Sequence, residues 1–329
     1  MKKRIVNILP GGGGSSEPVK SQGFTMAEIL LSLTIIGVVA AITLPSLTGN
    51  INERTWNTQR KALYARMSQA ISLMPALNGY GSAGNATETF ITAGLAKVLK
   101  INNICDNEHL KDCGVVTSFT NLAGSQTTIP TTLYELSSWF ESVEYSGSSY
   151  STTDTKAAAF ETQNGESIIA FYNQSCRTEY LNNETQTQFG NTFGFPESTM
   201  CVNFIYDLNG NKGPNTVGKD IGFMTVFNAT DSSVVAPVPA NKDIGNSMVS
   251  HSIAISSCKN SDLENRLPNI DELSSMLINN LLLGPMQQEN YWSSSSLNSE
   301  YGWGVSFKYG ERATGHKKNH VRYVRCVKR

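Results

Sequence analysis

The stretch FTMAEILLSLTIIGVVAAITL, residues 24–44, is the longest apolar run in the chain, and Glu28 is its only charged side chain. A helix of about 20 apolar residues covers the ~30 Å hydrocarbon thickness of a bilayer, so the run predicts a membrane-spanning helix. Residues 1–23 hold Lys2, Lys3, Arg4 and Lys20 around a Gly/Ser stretch and contain no comparable apolar segment. A basic flank stays on the cytoplasmic side, which predicts export of everything beyond Leu44. Pro45 follows at once; it lacks a backbone donor and disfavours helical geometry at the preceding residue, which predicts a kink, a local opening or the end of the span.

Beyond Pro45 the apolar residues Ile51, Trp56, Leu63, Met67, Ala70, Ile71 and Met74 recur at mostly helical spacing among Arg54, Arg60, Lys61 and Arg66. This pattern predicts an amphipathic continuation of the helix. Pro75 and Asn78-Gly79 supply its stop.

Across all 329 residues the chain is 40% hydrophobic and 16% charged, which places it among folded proteins with a sizeable core. Its 26 basic residues nearly balance its 27 acidic ones. That balance argues against binding nucleic acid or an anionic membrane surface through bulk charge, while local patches stay open. Abundant Gly, Ser, Thr and Asn suit a β-rich exported protein and exclude a long coiled coil.

An ordinary secretory signal places its apolar segment before the cleavage site, whereas here the small residue Gly23 precedes it. The string QGFTMAEILLSLTIIGVVAAITLP resembles the amino terminus of type IV pilins and type II secretion pseudopilins. The match lies in Gly23, apolar Phe24, Thr25, Glu28 and Pro45 at their spacing, and covers about residues 20–77. The resemblance implies cleavage between Gly23 and Phe24 by a prepilin peptidase, N-methylation of Phe24, and assembly through the amino-terminal helix. It also implies that Glu28 pairs with the amino terminus of a neighbouring subunit; a carboxylate at the interface end of a plain anchor is the other reading.

Residues 80–235 carry short apolar runs between Gly, Ser, Asn and Thr clusters, among them SIIAFYN (167–173), MCVNFIYDL (200–208) and DIGFMTVFN (220–228), which predict strands. TTLYELSSWFESV predicts a helix with Leu133, Leu136, Trp139 and Phe140 on one face. An antiparallel sheet laid on the long helix follows. Between two strands, DLNGNKGPNTVGKD (207–220) holds the turn signals Asn209-Gly210 and Gly213-Pro214. A long turn is the plain reading. Asp207, Asn209, Asn211 and Asp220 also present oxygens of the kind Ca²⁺ takes, although no glutamate stands at an EF-hand closing position. No other cofactor is expected.

Six cysteines, at 105, 113, 176, 201, 258 and 326, admit fifteen full pairings. Export favours disulfides, and pairing of sequence neighbours is the simplest arrangement: Cys105 with Cys113, Cys176 with Cys201, Cys258 with Cys326. No CxxC and no suitably spaced His supports zinc.

Around APVPANKD (236–243) the composition becomes linker-like, and a boundary is expected near residue 240. Arg266-Leu267-Pro268 leads into a helix with Asp271 and Glu272 in its first turn and Leu273, Met276, Leu277 and Leu281 on its apolar face. Tyr291-Trp292 with three serines, WGVSFKYG (303–310) and YVRCVKR (323–329) complete the pattern. Residues 250–329 resemble the Lcl-type carboxyl-terminal domain of bacterial collagen-like surface adhesins, which is related to the C-type-lectin-like fold. In a structural reading Trp292 and Trp303 are core aromatics; a glycan-binding reading exposes at least one of Tyr291, Trp292 or Tyr301 as a stacking platform. Lys317 and Lys318 belong to a basic tail suited to anionic glycans or DNA.

No Ser/His/Asp set and no phosphate-binding loop is present, so no enzyme is expected. The expected fold is α+β: a leader (1–23), a transmembrane and stalk helix (24–78), a β-rich head (79–239) and a small lectin-like module (240–329). The expected function is a minor pilin or pseudopilin of a type IV pilus or type II secretion filament. The alternative is a signal-anchored surface adhesin that binds glycans or DNA. Expected partners are prepilin peptidase, other pilin subunits and the inner membrane. The expected location is a single-pass inner-membrane protein with an exported head, which becomes a periplasmic or surface filament.

Overall fold

In the computed structural model of the chain, residues 25–74, 86–136, 144–145, 148–149, 156–173, 193–194, 200–227, 233–243 and 247–328 are described. The leader 1–23, Phe24, the stop signals at 75–79, Trp139, Phe140 and Cys176 lie outside them. Two compact units divide the chain, Met1–Asn52 and Glu53–Arg329.

The first unit is helical where it is described. Helix α1 spans Met26–Leu73 and includes Pro45, where the sequence predicted a kink, an opening or an end. Among the described residues no helix is long and apolar enough to cross a membrane. The transmembrane helix expected at 24–44 is therefore corrected, and with it the expected fold built around that span. The expected inner-membrane anchor, the single-pass location and the transmembrane, prepilin-type character of this segment are corrected with it.

The second unit mixes helices and strands around a large antiparallel sheet. Strands β1 (Ile101–Cys105), β2 (Ala158–Thr162) and β3 (Ser167–Tyr172) pair in order. A short β4 (Phe193–Gly194) belongs elsewhere, and β5 (Met200–Asp207), β6 (Ile221–Phe227) and β7 (Ser233–Val235) continue the sheet. The six strands run in the order β1-β2-β3-β5-β6-β7.

Side chains alternate between the two faces of this sheet, as the pleat requires. Phe160, Ile168, Ala170, Tyr172, Val202, Phe204, Met224 and Val226 meet Leu63, Met67, Ala70 and Ile71 of α1, Met74 just beyond it, and Phe90 of helix α2 (Thr87–Ala93). Ala159, Ile169, Phe171, Ile205 and Phe223 point the other way, into a core shared with Leu273, Met276, Leu277, Tyr291 and Phe307. Because both faces are covered, the central strands read as continuous apolar runs.

The carboxyl-terminal residues supply that second cover. Helix α3 spans His251–Ser261 and α4 spans Ile270–Ile278. Strands β10 (Asn290–Ser296), β11 (Tyr301–Ser306) and β12 (Glu311–Lys317) form a sheet whose edge is β4. Strand β8 (Pro239–Asp243) pairs with β13 (Arg325–Lys328), which also pairs with β9 (Asn265–Arg266). The stretch that looked like a linker at 236–243 thus includes a paired strand. Apolar packing is continuous past residue 240, since one core cluster runs from Cys105 to Val327.

Helix α4 begins at a complete capping box: Asn269 accepts from the Glu272 amide at 2.8 Å, and Glu272 accepts from the Asn269 amide at 2.9 Å. Its inner face is tied to the sheet by a buried polar network. Asn279 Nδ2 donates to Asn203 Oδ1 at 2.9 Å, and Thr225 Oγ1 donates to the same oxygen at 2.6 Å. These groups satisfy one another where water has no access.

Candidate functional site

Three places carry the residues singled out from the sequence: the start of α1, the hairpin between β5 and β6, and the carboxyl-terminal sheet. At the first, Thr25 precedes α1 and Glu28 sits in its first turn. Glu28 Oε2 accepts from the Thr25 amide and from Thr25 Oγ1, both at 2.8 Å, and the Glu28 amide donates to Thr25 Oγ1 at 3.3 Å. This is a capping box, and its hydrogen bonds hold the Glu28 carboxyl below its ordinary value. The Thr-x-x-Glu spacing that signals such a box is visible in the sequence, where Glu28 was read as pairing with a neighbour's amino terminus or as lying at the interface end of an anchor. Gly23 and Phe24 lie outside the described residues.

The helix then presents apolar side chains all round. Ile29 is 47% exposed, Leu33 61% and Ile36 64%, with Leu30, Leu31, Ile35, Val38 and Val39 similarly open. Ser32 and Thr34 return their hydroxyls to the carbonyls of Glu28 and Leu30, each at 2.7 Å, so their polarity is spent within the helix. Pro45 lies inside α1, and its side chain is outside the description.

Asp207 ends β5 and stands opposite Ile221 of β6, while the Leu208 amide donates to the Asp220 carbonyl at 3.0 Å. The pairing brings both aspartates to the mouth of the hairpin. Asp207 Oδ1 accepts from the Asn209 amide at 3.1 Å. Asp220 accepts from the amides of Asn215 and Thr216, each at 2.8 Å, and shapes the loop around itself. Gly210 and Asn215 take positive φ of 65° and 50°, the left-handed conformation that Gly and Asn tolerate best. Burial pushes the Asp207 carboxyl up to about 7; the Asn209 amide opposes this and the Asp220 carboxylate adds to it. Asn211 is exposed. Asn215, not singled out from the sequence, is part of this loop.

In the carboxyl-terminal sheet Tyr291 and Trp292 are fully buried. The Trp292 indole donates to the Val249 carbonyl at 2.9 Å, and its ring meets His251 and His316 edge-on. Neither offers a face to a sugar. Tyr301 and Trp303 are half-buried, Lys317 is exposed, and Lys318 Nζ donates to the Asn298 carbonyl at 2.7 Å. The basic tail is partly internal, since Arg312 and Arg325 are buried.

Two disulfides are described, Cys105–Cys113 and Cys258–Cys326, and Cys201 is also disulfide-bonded. Cys258–Cys326 ties α3 to β13 beside Trp292 in one apolar cluster. Among the described residues no group of three or more His, Cys, Asp or Glu gathers as a metal centre. No protein-family description matches this chain, and no curated protein matches it significantly.

Proposed function

We propose that this chain is a structural subunit of a pilin-class filament, assembled through the first half of α1. The supporting observation is the helix itself: apolar side chains stand exposed around its circumference from Ile29 to Val39, while the later turns of the same helix bury Leu63, Met67 and Ile71. A helix that is apolar all round is stable in water only when something covers it. Helices of other subunits provide that cover in a filament, at about 25 cal/mol for each Å² of apolar surface removed from water. The resemblance of residues 20–77 to pilins favours this cover over others. In such an assembly the Glu28 carboxylate exchanges its Thr25 cap for a cationic group of a neighbour. The adhesin alternative is less favoured, because two of its three candidate aromatic platforms are buried.

The test is cross-linking in the native host. Every cysteine whose state is described is already paired, so Leu33→Cys and Ile36→Cys introduce thiols that report on α1 alone. Oxidation should give ladders of linked subunits, and labelled protein should appear on filaments in electron micrographs; Leu33→Asp should abolish both. Monomers only, with no labelled filament, would overturn the reading.

A further inference from the structure

The hairpin between β5 and β6 contains more acceptor oxygens than the protein has donors to satisfy. Asp207 is 7% exposed and Asp220 is fully buried, and burial of ionised carboxylates is costly unless they are paired or bind metal. Asp207 Oδ2, Asn209 Oδ1 and Asn215 Oδ1 are all buried and have no hydrogen-bond partner. Asn209 spends its amide group on the Gly213 carbonyl at 3.1 Å, which leaves its oxygen as the group facing an unmet need. Among the described residues neither aspartate has a cationic partner. Arg60, which reaches the same loop, gives its Nη2 to the carbonyls of Gly218 and Lys219, at 3.2 and 2.8 Å.

We infer that this hairpin is a calcium site, with Asp207, Asn209, Asn215 and Asp220 as its side-chain oxygen donors. Two neighbouring carboxyl groups with no cationic partner among the described residues suit a divalent cation. The donors are oxygens only, of carboxylate and amide type, which suits a hard cation and not zinc. Calcium accepts six to eight oxygens in irregular geometry, which an Asn- and Gly-shaped turn can supply with water and backbone carbonyls. Magnesium demands near-ideal octahedral geometry and keeps its waters. Asn211, exposed on the loop, is not in the set. Bound calcium would clamp the end of the two central strands, β5 and β6, and this role does not depend on filament assembly.

The test is titration of the full chain, in detergent, with CaCl₂ alone and with MgCl₂ alone, by calorimetry and thermal melting. Calcium should release or absorb heat at a single site and raise Tm by several degrees, and chelation should reverse the rise. Asp207→Asn should weaken calcium binding at least tenfold. Asn215→Gly keeps the positive φ and removes the oxygen, so it should weaken binding while circular dichroism stays unchanged. No heat and no Tm change with millimolar calcium would overturn the site. Calcium binding unchanged in both variants, or magnesium binding as tightly as calcium, would overturn the assignment.

Discussion

Arg312, buried on β12, places its guanidinium 2.9 Å from Asp271 in the first turn of α4, and lies over the ring of Phe227 on β6 with 4.9 Å to the centroid. One side chain thereby joins the carboxyl-terminal sheet, the helix that covers the central sheet, and the central sheet itself. The acidic group at the start of α4 also complements the helix dipole there.

Removing the buried partner of this pair should cost more than removing the half-exposed one. Arg312→Ala is expected to destabilise by about 2 kcal/mol, because it deletes a buried side chain together with its contact with Phe227, while the Asp271 carboxylate it leaves is partly solvated. Asp271→Asn should cost about 1 kcal/mol, since solvent reaches that side chain and the amide still accepts a hydrogen bond. Urea denaturation of both single variants and the double variant measures the coupling. A larger loss for Asp271→Asn would contradict the burial argument.

The two described disulfides close loops of different length, with sequence separations of 8 and 68. On the chain-entropy account the shorter contributes about 2.5 kcal/mol and the longer about 4.4 kcal/mol. Replacing Cys258 and Cys326 by Ala should therefore lower the urea midpoint further than replacing Cys105 and Cys113. The reverse order would show that native-state packing, not loop closure, dominates.

His316 on β12 is pushed down to about 4 by burial, with further depression from Arg322 and His320. In the unfolded chain an imidazole titrates near 6.5. The unfolded state therefore binds the proton first as pH falls. The stabilisation due to His316 is complete above about pH 6.5 and is lost as pH falls toward about 4. His316→Gln should flatten the stability profile within that window. The imidazole resonances followed by NMR should show a midpoint well below 6; a midpoint at the ordinary value would refute the assignment.

Gly222 of β6 lies opposite Tyr206 of β5, and the phenol crosses over it. A Cβ at Gly222 would stand 2.2 Å from Tyr206 Oη and 2.4 Å from Cζ. Gly222→Ala is expected to cost about 1–3 kcal/mol through overpacking. Combined with Tyr206→Leu it should cost less than the sum of the two, because the smaller side chain removes the clash. Strict additivity in thermal melts would show that the ring yields freely.

The period-two and period-3.6 patterns were readable wherever one element meets one apolar surface. Leu63, Met67 and Ile71 mark the buried stripe of α1, and the runs at 167–173, 200–208 and 220–228 contain β3, β5 and β6. Asn209-Gly210 marked the turn between two of them. These features depend on a few residues close in sequence, and local chemistry suffices to specify them.

The amino-terminal run shows where composition stops being decisive. Its apolar side chains predicted a membrane span, yet a count of apolar residues does not say what covers them, and no described helix is long and apolar enough to cross a bilayer. Thr25 and Glu28 stand at capping-box spacing in the sequence, and the hydrogen bonds between them show the cap formed. Tyr291 and Trp292 have the same composition whether they line a ligand platform or a core, and only the packing of β10 against its neighbours put them inside. The same holds for Arg312, one cation among several in a basic tail until three elements converge on it. Periodicity along the chain determined the strands, the turn and the amphipathic stripe, because each is set by neighbours within a few residues. Which face is covered, which charge is buried and which oxygens are left without donors were decided by contacts between residues far apart in sequence, which no local pattern encodes.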